Sequence, residues 1–204
     1  MGNSKNFREN LAFVISRVLG PLPLICLLWL VVAVKSGIGF YKAIWVYPVI
    51  FIFTIAFPVL VTTYLIATKR VSGIEWKNIN ERKKYLPPIM VFSLLILNFL
   101  TYLLTDQTTF HLGLFLSGVM IITVLFWIFN KKISAHMVVS VVVFSAINLY
   151  FHLQFLWVFL LIIPIFWARL TLNIHSKKQL LAGIFIPLIY IFLGLLLFGW
   201  PRVP

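Results

Sequence analysis

Charge is what this sequence has least of. Only 10% of its 204 residues are charged while 62% are hydrophobic; a soluble domain keeps about 25% charged and about half apolar. Too little polar side chain remains to cover a globule in water, which excludes a soluble domain. The apolar residues do not alternate with polar ones at period two, which excludes an outer-membrane barrel. A single cysteine, Cys26, lies inside an apolar run, so there is no disulfide framework and no Cys-rich metal site. Ionisable residues are almost missing from the middle of the runs, which argues against a carrier or channel with a polar pathway. No internal repeat or low-complexity linker breaks the chain, so 1–204 reads as a single domain. What is left is an all-α, polytopic helical membrane protein.

Turning to what is present, seven apolar runs lie at roughly 20–36, 43–67, 87–105, 110–129, 135–151, 153–168 and 180–199. A helix crosses a hydrocarbon core of about 30 Å with about 20 residues. Five runs meet that length or come close, and the fifth and sixth are short, giving six to seven transmembrane helices. Ahead of them, Phe7, Leu11, Val14, Ile15 and Val18 recur at helical spacing, which predicts a helix over 7–18 lying in the membrane interface. Threading the chain through the runs puts all but Lys35, Lys42 and Arg202 of its 17 Lys+Arg on one side, with the N-terminus. In a soluble protein a formal charge of +13 would suggest nucleic acid. In short loops it reports topology and lipid phosphate instead, and the bias points that side toward the cytoplasm.

Three polar clusters fall on that side. The first, 75–88, carries Lys77, Arg82, Lys83 and Lys84, with Pro87 expected to start the next span. In the second, "KKISAHM", Ser134 is placed to cap a helix and His136 follows it. The third is "WARLTLNIHSKKQ", with Arg169, His175 and Gln179; the last two lie one helical turn apart, within hydrogen-bonding reach. Cationic side chains and a helix N-terminus bind phosphate oxygens. Two histidines can then divide the chemistry, one attacking phosphorus and the other protonating the leaving oxygen. Lys131, Lys132, Lys177 and Lys178 read as topogenic charges, His111 and His152 as interfacial residues, and Asp106 as a turn residue facing water.

These clusters resemble the three signature motifs of the type-2 phosphatidic acid phosphatase superfamily, membrane-bound lipid phosphate phosphatases. The family pattern is Lys-x6-Arg-Pro, Pro-Ser-Gly-His and Ser-Arg-x5-His-x3-Asp. Here the third appears as Ala168-Arg169-x5-His175-x3-Gln179 and the second as Ile133-Ser134-Ala135-His136. Lys77 and Lys84 keep the spacing of the first, with Tyr85 where proline belongs and Arg82 as the available guanidinium. The resemblance covers about residues 77–183 and suggests a divergent bacterial member, resident in the inner membrane.

It implies that His175 is the nucleophile, forming a phosphohistidine, and that His136 protonates the leaving lipid alcohol. Arg169, Ser134, Lys77, Arg82 and Lys84 would bind the phosphoryl oxygens. No metal or other cofactor is implied. The partners implied are a phospholipid or polyprenyl phosphate substrate and the surrounding lipids, with no nucleic acid. Gln179 replaces the aspartate that orients the nucleophile, and an amide offers no countercharge. The alternative expectation is therefore a weakened or inactive relative that binds lipid phosphate or a membrane partner.

Overall fold

The computed structural model describes residues 2–35, 39–73, 78–129 and 131–198, with backbone alone for 2–6 and 40. Among them there is no strand. The helices are α1 (Gly2–Val18), α2 (Pro21–Lys35), α3 (Phe40–Phe51), α4 (Phe57–Ala67), α5 (Ile79–Leu104), α6 (Gln107–Ile128), α7 (Ala135–Tyr150), α8 (Ile162–Thr171) and α9 (Lys177–Phe198). Five stretches are long and apolar enough to cross a membrane: Phe7–Lys35, Tyr41–Ala67, Ile79–Leu104, Gln107–Ile128 and Lys177–Leu197. The fifth and sixth runs form shorter apolar helices, Ala135–Tyr150 and Leu156–Thr171. The chain divides into two compact units, Met1–Leu28 with Ile133–Trp200, and Trp29–Lys132.

The first unit is built around α7, where every residue from Met137 to Asn148 is buried. Its valine-rich sequence is a poor helix former by propensity. A segment apolar on all sides, however, belongs in the middle of a bundle. α7 packs on α9 and on α8, and α8 is entered through a tighter helical turn over Leu156–Leu161. α1 packs on α8. The stripe expected to be its working face is exposed at Phe7, Leu11, Val14 and Val18, whereas Ala12 and Ser16 are buried. Small side chains let two helices approach closely, and the apolar stripe is left to face lipid. Leu19 and Gly20 join α1 to α2, so the segment expected in the interface belongs to the first long apolar stretch.

In the second unit α5 and α6 form a hairpin, and α3 and α4 make one stretch interrupted by a wide turn over Ile52–Ala56. There the Phe57 N–H reaches back five residues to Ile52 O. Pro58, in the first turn of α4, has no N–H to continue the regular ladder.

Two expectations change here. The basic stretch before Pro87 is not a loop: α5 begins at Ile79, its end capped by the Asn78 side chain accepting from Asn80 N. Glu81 then holds the preceding loop, accepting from both N and Oγ of Ser72 at 2.9 Å. Asp106 is likewise no idle turn residue. Its carboxylate caps α6, accepting from Thr108 N, Thr109 N and the Thr109 hydroxyl.

Candidate functional site

Five segments of the first unit bring polar side chains together: the end of α1, the joint at Gly20, the start of α7, the end of α8 and the start of α9. Most contacts that join them are long-range. The Arg169 Nη1 donates to Ser16 Oγ at 2.9 Å, and Ser16 Oγ lies 3.5 Å from His136 Nε2. Ser134 N donates to the Gln179 backbone oxygen at 3.3 Å, tying α7 to α9.

Close approach depends on two glycines. At Gly183 an added Cβ would stand 2.8 Å from Met137 Cβ and 2.9 Å from Ser134 O. At Gly20 it would stand 2.7 Å from Ser16 O and 3.7 Å from His136 Nε2. The crowding at Gly20 comes from the backbone of the last turn of α1, and His136 lies at ordinary contact distance.

His175 is set by its neighbours in α9. Ser176 and Gln179 form a reciprocal cap: Gln179 Oε1 accepts from Ser176 N at 3.1 Å, and Gln179 N donates to Ser176 Oγ at 3.4 Å. Because the amide oxygen takes the Ser176 N–H, it is also the atom that faces His175 Nδ1, at 3.2 Å. An acceptor there puts the ring proton on Nδ1 and makes Nε2 the lone-pair nitrogen of the ring. The group that orients His175 is thus a neutral amide already engaged by the helix end.

Ser134 occupies the N-cap position of α7, but its hydroxyl makes no cap bond. The side chain is fully buried and its Oγ has no hydrogen-bond partner. This corrects the expected capping role and leaves an uncommitted hydroxyl beside His136. Ser16 was not singled out in the sequence, where one serine in an apolar helix carries no signal of its own.

The electrostatics are one-sided. Arg169 is 2% exposed, and the acid described in this unit, Glu9, is exposed on α1. His136 lies in the first turn of α7. Groups of three or more His, Cys, Asp or Glu that could hold a metal are absent among the described residues.

The residues expected in the second and third clusters, Ser134, His136, Arg169, His175 and Gln179, are therefore brought together in one unit. Of the first cluster, Arg82 and Lys84 belong to the second unit. The Arg82 guanidinium stacks 5.4 Å from the Trp127 ring in the second unit, and the Lys84 ammonium lies over the neighbouring Tyr85 ring. Lys77 is outside the described residues. No family model, curated protein or solved structure matches this chain.

Proposed function

We propose that the protein is a membrane lipid phosphate or lipid pyrophosphate phosphatase of the type-2 phosphatidic acid phosphatase kind, working without metal through a phosphohistidine. The observation that carries this reading is the meeting of His136, Arg169, Ser134 and the His175–Gln179 pair at one place in the first unit. His175 Nε2 attacks phosphorus while the bond to the lipid oxygen breaks, and His136 gives that oxygen its proton. Water, deprotonated by His136, then releases inorganic phosphate from His175. Arg169 and the Ser134 hydroxyl hold the phosphoryl oxygens, and Gln179 keeps the proton of His175 on Nδ1.

A phosphate dianion beside His136 favours the protonated imidazole that this step requires. The first-cluster cations Lys77, Arg82 and Lys84 enter this proposal on sequence spacing alone. The five long spans and the α7–α8 hairpin make up the six to seven crossings. The site faces the cytoplasmic side of a bacterial inner membrane, by the bias of basic residues. The lipid tail stays in the bilayer while its headgroup reaches the polar mouth.

A second reading is favoured by the reciprocal cap. Gln179 has a complete structural job at the start of α9, so the site could bind lipid phosphate without turning it over. One experiment separates the two: phosphate release by the purified protein in detergent, without metal, from a panel of lipid phosphates and pyrophosphates. Release should vanish in His175→Ala and fall by about 10²–10⁴-fold in His136→Ala. Binding without release from any substrate would select the non-catalytic reading.

A further inference from the structure

Ser16 comes from a helix that none of the three motifs includes, yet it stands between two of their residues. Its hydroxyl accepts from Arg169 Nη1 at 2.9 Å and lies 3.5 Å from His136 Nε2. A hydroxyl can do both at once, accepting from the guanidinium and turning its own proton to a neutral imidazole. A phosphoryl oxygen would make the same bridge, accepting from the guanidinium and from a protonated His136.

We infer that the Ser16 hydroxyl is the resting occupant of the phosphate seat, displaced when a phosphoryl group binds. The inference rests on the phosphate-site reading above and adds to it a residue and an exchange. Three features fit an occupant rather than a fixed strut. Where α1 packs on α8, its buried side chains are the small Ala12 and Ser16. The segment that follows is a joint, Leu19–Gly20, between two helices rather than continuous helix. The Ser134 hydroxyl, buried and without a hydrogen-bond partner, is a further donor for an arriving anion.

Affinity measures the difference between the occupied and empty states. Replacing Ser16 by alanine removes a bond from the empty state that the bound state does not use. Ser16→Ala in the full-length detergent-solubilised protein should therefore bind inorganic phosphate more tightly, by about three- to tenfold, the size of one net hydrogen bond. Ser16→Thr, which keeps the hydroxyl, should match the wild type. A residue with only a structural role would do the opposite, weakening binding as it loosens the fold.

An alanine variant that is folded and binds phosphate equally or more weakly, while Arg169→Ala abolishes binding, overturns the Ser16 inference alone. Wild-type protein that ignores inorganic phosphate overturns the site reading and this inference together. Tighter binding in Ser16→Ala without lipid phosphate turnover would leave the inference standing and remove only the enzyme. Should the alanine variant fail to fold, a thiol at this position in a Cys26→Ala background gives a second measurement. Inorganic phosphate should speed alkylation of that thiol several-fold, and an unchanged rate overturns the exchange.

Discussion

In the second unit the buried hydroxyls of Ser93, Thr101 and Thr123 each donate to the carbonyl one turn earlier in their own helix, at 2.9 Å. In the first unit Ser16 is 120 residues from His136 and 153 from Arg169, and it meets both. The first arrangement quiets a polar atom inside an apolar hairpin and asks nothing of the rest of the fold. The second exists only once the bundle has formed. The two units even treat a buried arginine differently: Arg82 lies over an aromatic ring, whereas Arg169 donates to a hydroxyl of another helix. Polar groups spent locally stabilise helices, and polar groups spent across the bundle make a place where chemistry can happen.

Substitutions can break this contrast in graded steps. The largest effect is expected at Gly183, where a new side chain meets Met137 Cβ and the Ser134 carbonyl rather than a flexible tip. Gly183→Val should cost about 1–3 kcal/mol or more, read as a lower thermal midpoint in detergent, and should abolish phosphate binding with it. Asn98→Leu removes the long-range side-chain bond of the second unit, Asn98 Nδ2 to Ser117 Oγ at 2.7 Å. Such bonds between membrane helices average about 0.6 kcal/mol and reach about 1.7. A modest drop in midpoint with phosphate binding intact is the expected result. The smallest effect belongs to Thr123→Val, whose lost bond is to its own helix. It should stay within about 0.5 kcal/mol. A large loss there would show that the local hydroxyls also carry the packing of the hairpin.

Legibility in the sequence follows the same division. The α7 run was readable to within one residue and the α6 run to within three, because a bilayer demands apolar length and apolar length is written directly in the chain. The start of α5 was missed by about two turns. Lys83, Lys84 and their neighbours look like loop, and only the Asn78–Glu81 spacing signals a helix end. The spacing from His175 to Gln179 was legible because about one helical turn sets it. The cap that Gln179 shares with Ser176 could have been found in the same way, as a serine three residues before a glutamine.

By itself, then, the sequence determined that this is an all-helical membrane protein, and it determined which short segments carry its histidines and arginine. Hydrophobic length and local spacing are properties of the chain before it folds. Only the tertiary structure decided that Ser16 joins Arg169 to His136, that Ser134 keeps its hydroxyl free of the cap, and that the glycine at 183 lets α7 and α9 approach. Those outcomes depend on which helix faces pack together, and no local pattern specifies that when nearly every face is apolar.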